Sequence, residues 1–239
     1  MNFKYAVRQL IRRLGWDVHR YVPPFARPIN RALEYINTDL VVDVGANAGQ
    51  FVQNIREGGY TGNVVSFEPL SVVHATLLQA SRNDPGWEIA PRCALGDHVG
   101  QTEINISGNT LSSSILPMLE SHRRAAPSSE YKGSERVALE TLDSAASPYI
   151  QNARSPFLKI DVQGYEWQVL DGAIDTLSRY RGILVELSLV PLYEGQHLWL
   201  ETIRRMQESG FTLWSITPVF HDPANGRTLQ VDGLFLRDK

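Results

Sequence analysis

From Leu40 onward the chain sets short apolar runs against amphipathic stretches. Leu40–Val44 reads as a buried strand followed by a helix from Gln50, and Val64–Phe67 as a strand followed by a helix through Thr76–Ala80. Trp87–Arg92 reads as a third strand, and Phe157–Val162 and Ile183–Leu187 as two more with a helix from Tyr165 between them. This rhythm predicts an α/β domain: a parallel sheet with helices on both faces. The last third departs from it. A helix over Trp199–Glu208 precedes strands near Thr212–Ile216 and Leu229–Leu236, joined by a polar turn at Asp222–Gly226. Two strands without an intervening helix predict a terminal antiparallel pair.

Ahead of the alternating region, Val7, Leu10, Ile11 and Leu14 recur at helical spacing, with Arg8, Arg12 and Arg13 largely off that stripe. The pattern is that of a basic amphipathic helix, which either packs on the main domain or meets anionic lipid or a lipid-linked substrate. Pro23, Pro24 and Pro28 divide it from a second helical run, Ile29–Ile36. The expected organisation is a helical extension over residues 1–37 and a main domain over 38–239. Within that domain, residues 107–135 are rich in Ser, Pro and charge with little periodicity. Such a segment is expected to be a substrate-covering lid, with a passive insertion as the alternative.

Composition narrows the field. At 239 residues and 43% hydrophobic, the chain carries enough apolar surface for a core. Its 23 basic and 26 acidic residues leave a net charge of −3, which gives nucleic acid no electrostatic footing. The lone Cys93 makes neither an intramolecular disulfide nor a cysteine-based zinc site. With no signal-peptide pattern and no run of about 18 apolar residues, the expected address is cytoplasmic. Should the N-terminal helix meet lipid, that address becomes the inner face of the plasma membrane.

The candidate chemistry sits at strand ends. After Asp43 the chain runs Gly45, Ala46, Asn47, Ala48, Gly49, Gln50 and Phe51, a glycine-containing turn between a strand and a helix. Such turns let a ligand approach the backbone at the strand's carboxyl edge. A dinucleotide fingerprint wants glycine at 45, 47 and 50, whereas this chain has Gly45, Asn47 and Gln50, so NAD is the lesser reading. Asp43 would repel a pyrophosphate but suits an amino-acid ammonium, which points to S-adenosylmethionine. Glu68, followed by Pro69, stands about 20 residues beyond the glycines, where a carboxylate holds a ribose diol. Ala94, Leu95, Gly96 and Asp97 form a third turn suited to an adenine rim.

Lys159 and Asp161 fall on one face of their strand, so their side chains point together. The structural reading is an ion pair. The functional one is that Asp161 orients or deprotonates an acceptor hydroxyl while Lys159 sets its charge state. Glu166 is expected to meet the N–H groups of its helix start or the adjacent turn. His197, after the fifth strand, is a second candidate base; the other histidines read as surface or structural. Asp161 and Glu186 end neighbouring strands and could share Mg2+, although no dedicated ligand run is present. Tyr165, Trp167, Tyr193 and Trp199 offer aromatic faces either to a sugar or to the core.

The spaced set VVDVGANAGQF, VVSFEP, ALGD, LKIDVQGYEWQVLDGA, ILVELS and VDGLFLR resembles the FkbM-type methyltransferases over roughly residues 40–237. The resemblance implies a class I methyltransferase, Rossmann-like sheet of seven strands, the last antiparallel. It further implies S-adenosylmethionine as donor and an oxygen acceptor on a sugar, antibiotic or lipid-linked glycan. The wording also resembles actinobacterial enzymes that O-methylate deoxysugars such as rhamnose on glycolipids, so a rhamnosyl or fucosyl hydroxyl is the expected acceptor. One departure is Gln163, where the family motif commonly carries an acid. Methyl transfer to nitrogen and a non-catalytic cofactor-binding protein remain the alternatives.

Overall fold

A computed structural model describes Gly15 and residues 26–237. The basic amphipathic run at 7–14 and His19 lie outside the described residues. The first helix, α1 (Ala26–Tyr35), begins before the expected Ile29 because Pro28 fits the first turn, where a missing N–H costs nothing. Then come β1 (Leu40–Val44), α2 (Gln50–Glu57), β2 (Asn63–Phe67), α3 (Ser71–Ala80), β3 (Trp87–Ile89), β4 (Ala94–Gly96) and β5 (Gly100–Ser107). They are followed by α4 (Glu120–Ala125), β6 (Tyr131–Thr141), α5 (Leu142–Ile150), β7 (Pro156–Ile160) and α6 (Glu166–Asp171). The chain closes with β8 (Gly182–Ser188), α7 (Trp199–Glu208), β9 (Thr212–His221) and β10 (Thr228–Leu236).

Seven strands form one sheet in the order β3-β2-β1-β7-β8-β10-β9. β10 runs antiparallel to both β8 and β9, and the other pairings are parallel. The alternation of side chains splits the core in two. Val41, Phe157, Leu184 and Leu234 face Ile29 and Leu33 of α1 and Val52 and Ile55 of α2. Val42, Leu158, Ile183 and Phe235 face Leu142 and Ala146 of α5, Val169 of α6 and Met206 of α7. α1 is therefore part of the core layer and not an appendage to it.

One expectation is corrected. Residues 94–97 are not a turn ending the third strand: Ala94–Gly96 form β4, which pairs with β6 in a separate three-stranded sheet. The segment 107–135 carries regular structure. β5 ends at Ser107, Asn105 and Ser114 exchange two backbone hydrogen bonds, α4 follows, and β6 has begun by Tyr131. Among the described residues no helix is long and apolar enough to cross a membrane.

The sheet order positions the site. The chain steps outward from β1 to β2 and β3, then returns to place β7 on the other side of β1. At such a reversal the loops after neighbouring strands part company, leaving a crevice at the carboxyl ends. Here those loops begin at Gly45 and Asp161.

Candidate active site

The glycine turn is held by its neighbours. Gly45 and Ala46 N–H both donate to Phe67 O, at 3.1 and 3.0 Å, and Asn47 N–H donates to Glu68 Oε2 at 2.9 Å. These amides grip the end of β2, so they are not the ligand-facing donors that the turn suggested. Gly45 has φ 75°, and a Cβ there would stand 1.8 Å from the Asp161 carbonyl oxygen. Gly49, at φ 88°, leaves room for the Trp87 ring, which a Cβ would meet at 2.4 Å. Glycine at 45 thus allows the two loops of the crevice to touch.

Glu68 is nearly inaccessible, and its other carboxylate oxygen accepts from Leu70 N–H at 2.9 Å. Burial pushes its pKa up to about 7 against the pull of those two N–H donors. Spare lone pairs remain on both oxygens.

Asp43 is fully buried beneath the turn. Oδ2 accepts from Ser66 Oγ at 2.9 Å, and Oδ1 lies 3.2 Å from Lys159 Nζ. Asp43 lines none of the hollows described below, so it supports Lys159 and does not meet a ligand ammonium. Lys159 Nζ donates to Gly45 O at 2.7 Å and Val44 O at 3.2 Å, and lies 3.7 Å from Asp161 Oδ2. Burial alone would lower the Lys159 pKa, but Asp43 and Asp161 outweigh it and hold it above its ordinary value. The expected pairing of Lys159 with Asp161 is present, with a second carboxylate underneath.

Asp161 stands where three hollows meet. One is a cleft along Gly45, Asn47, Glu68, Pro69, Leu70, Ala94 and Leu95, closed above by Thr110, Leu111, Ser113 and Ile115. It encloses about 680 Å³ counting its open side. The second runs past Ala46, Gln50, Phe51 and Lys159 to Glu186 and Asp232. The third is lined by Asn109, Ser112, His122, Gln163, Glu186, Phe220 and Gln230. Asp161 and Leu111 border all three.

A family model, the methyltransferase FkbM domain, matches residues 43–213, a span that runs from the buried aspartate of β1 into β9. The chain belongs to the FkbM methyltransferase family. No curated protein matches it. Among solved structures, it is similar to methyltransferase FkbM from Methylobacillus flagellatus KT, with a TM-score of 0.47 and 13% identity over 82% of this chain and 44% of that one. It is also similar to TehB from Haemophilus influenzae, with a TM-score of 0.49 and 10% identity over 96% of this chain and 66% of that one. For the mitomycin 7-O-methyltransferase MmcR the TM-score is 0.46, with 11% identity over 88% of this chain and 52% of the other. This chain therefore spans less than two thirds of each.

Gln163 is the centre of the polar network. Its backbone is left-handed, at φ 56°. Nε2 donates to Asp161 Oδ1 at 2.8 Å and to Glu186 Oε2 at 2.9 Å. Oε1 lies 2.9 Å from the Tyr193 hydroxyl, which fixes the amide's orientation. Gln230 Nε2 also donates to Glu186 Oε2, at 2.6 Å. Burial, then the charges of Asp161, Glu166 and Asp232, push the Glu186 pKa well above the usual range. Asp232, on β10, is pushed up to about 7 by burial and by Asp161.

The amide of Gln163 therefore occupies the space between Asp161 and Glu186 that a shared Mg2+ would need. No cluster of three or more His, Cys, Asp or Glu among the described residues is arranged to hold a metal.

Other expected residues lie elsewhere. His197 stacks on Trp167, with ring centroids 3.8 Å apart, and faces Glu201 at 3.4 Å; it borders none of the three hollows and is not placed to act as a base. Asp97 is exposed beside His98, and Gly96 packs under Tyr165, so only Ala94 and Leu95 of that run reach the cleft. Glu166 Oε1 accepts from Val162 and Gly164 N–H at 3.1 and 3.0 Å, bracing the turn after Asp161. Of the four aromatics, Tyr165 lines the cleft, Tyr193 serves Gln163, and Trp167 and Trp199 pack away from the site. Gln230, Asp232, Phe220 and His122 went unrecognised as site residues because nothing near them in sequence marks them.

Proposed function

We propose that the chain transfers a methyl group from S-adenosylmethionine to a hydroxyl of a rhamnosyl or fucosyl acceptor, free or lipid-linked. The observation that carries this reading is the position of Asp161, whose carboxylate borders both the apolar cleft and the polar hollow while Lys159 and Gln163 hold its two oxygens.

The cleft fits a nucleoside bearing an amino-acid tail better than a dinucleotide. No Lys or Arg lines it, and a carboxylate, Glu68, stands where a phosphate would be repelled. Glu68 would hold the ribose, and Leu70, Ala94, Leu95 and Ile104 would enclose the base. When bound, the donor supplies a methyl group already activated by sulfonium charge.

The remaining work belongs to the protein: alignment, exclusion of water and removal of one proton. Asp161 accepts the hydrogen bond of the acceptor hydroxyl and takes its proton as the oxygen is methylated. Lys159 beneath it keeps the carboxylate in place and offsets the neighbouring acids. Gln163 orients Oδ1 and adds no third charge between Asp161 and Glu186. The test is mass spectrometry of purified chain incubated with methyl-labelled S-adenosylmethionine and rhamnosyl or fucosyl glycosides and glycolipids. A one-methyl gain on the sugar is expected. Calorimetric binding of the donor without transfer to any of them would overturn the sugar acceptor.

A further inference from the structure

Six buried side-chain polar atoms lack a hydrogen-bond partner among the described residues, and of the residues that carry them only His122 borders the third hollow. His122, on α4 in the connection from β5 to β6, is 2% exposed, and its Nδ1 makes no hydrogen bond with the described residues. The ring is gripped by aromatics: it meets Tyr193 edge-on at 5.1 Å between centroids and Phe220 at 5.2 Å with a 42° tilt. Tyr193 does not serve it, because its hydroxyl is directed to Gln163 and Ser112. A buried nitrogen left unpaired is destabilising, and in folded proteins such atoms generally meet a partner, a water or a ligand.

The hollow that His122 borders supplies the rest of a binding site. Gln163, Glu186 and Gln230 provide amide and carboxyl groups along one wall, and Phe220 provides an aromatic surface. A sugar ring matches this mixture, since its hydroxyls both donate and accept while its C–H face packs on aromatic carbon. A planar apolar acceptor would make no use of these groups or of His122 Nδ1. Burial lowers the His122 pKa to about 4, so at neutral pH the imidazole is uncharged, with one donor and one acceptor nitrogen.

We infer that this hollow is the acceptor site, with His122 hydrogen-bonded to one sugar hydroxyl while another meets Asp161 and the ring's apolar face rests on Phe220. The assignment rests on the sugar O-methylation reading. It makes His122 a recognition residue, while proton removal stays with Asp161.

The test uses p-nitrophenyl α-L-rhamnoside as the probe acceptor, with the full chain and its H122F and H122N variants. Phenylalanine keeps the aromatic packing against Tyr193 and Phe220, and a thermal melt confirms that the variant is folded. H122F is expected to raise KM for the rhamnoside about tenfold, with donor binding by calorimetry unchanged. H122N, whose amide stands near the place of Nδ1, is expected to recover part of the loss. An unchanged KM in H122F overturns the role of His122 and leaves the sugar reading intact. A wild-type chain that neither binds nor methylates the rhamnoside, while still binding the donor, overturns both.

Discussion

Two of the three hollows that share Asp161 as a boundary are made of different materials. The cleft beside Gly45 has mostly apolar walls, and its main polar group, Glu68, is tied to two backbone amides. The hollow beside Gln163 holds amides, carboxyls and an imidazole, bonded to one another across the sheet ends. One is bordered by a turn whose backbone amides are tied to the end of β2. The other is shaped by side chains whose hydrogen bonds can be exchanged for a ligand's. The contrast suits a constant donor on one side and a hydroxyl-bearing acceptor on the other.

Lys159 braces both Gly45 and Asp161, so its loss should do the most damage. Lys159→Met would leave Asp43 buried with no cation, and chemical denaturation should report a loss of about 3–5 kcal/mol. A loss below about 1 kcal/mol would mean that solvent reaches Asp43. Gly45→Ala should injure the cleft selectively, because the new Cβ would press the Asp161 carbonyl and occupy a left-handed backbone. Strain of about 1–3 kcal/mol is expected, read as a 10- to 100-fold weaker donor affinity in calorimetry.

Gln163 borders both hollows, and Gln163→Leu should injure the polar one more. It removes the donors to Asp161 and Glu186, and about a tenfold drop in kcat with unchanged donor affinity is expected. Equal loss of donor binding would erase the division between the two hollows.

Asp232→Asn is the mildest change and has a pH signature. The native pKa of about 7 lies above the ordinary 3.8, so the native state binds the proton more tightly. Wild-type stability contributed by this group is therefore present below about pH 4 and lost as the pH rises to 7. The Asn variant should gain on the wild type across that window by on the order of 1–2 kcal/mol, reduced from the full shift by solvent screening in the open hollow. Parallel melting curves over that pH range would contradict it.

The same division governs how much could be read ahead of the structure. β1 and α7 fall on the expected residues because an uninterrupted apolar run and a clear helical stripe leave little choice. β5 and β6 were missed because their outward faces are polar, as in Glu103, Ser134 and Arg136, and they flank a Ser-rich stretch that reads as loop. In the site, Gly45, Glu68, Lys159 and Asp161 stand out because turn chemistry and strand alternation act over a few residues. The network around Gln163 does not, since Tyr193, Glu186 and Gln230 reach it from separate strands and loops. Asp43 shows the limit of local reading: its place at a strand end suggested a ligand contact, but the register with Lys159 claims it for the interior.

The central claim is that Asp161 does its chemistry on the acceptor and leaves donor binding to the cleft. The direct test pairs donor calorimetry with single-turnover methyl transfer in the wild type and Asp161→Asn. The account predicts equal donor affinity and transfer slowed by about 10²–10⁴-fold, the range expected for losing a general base. Transfer at the wild-type rate in the variant would contradict it.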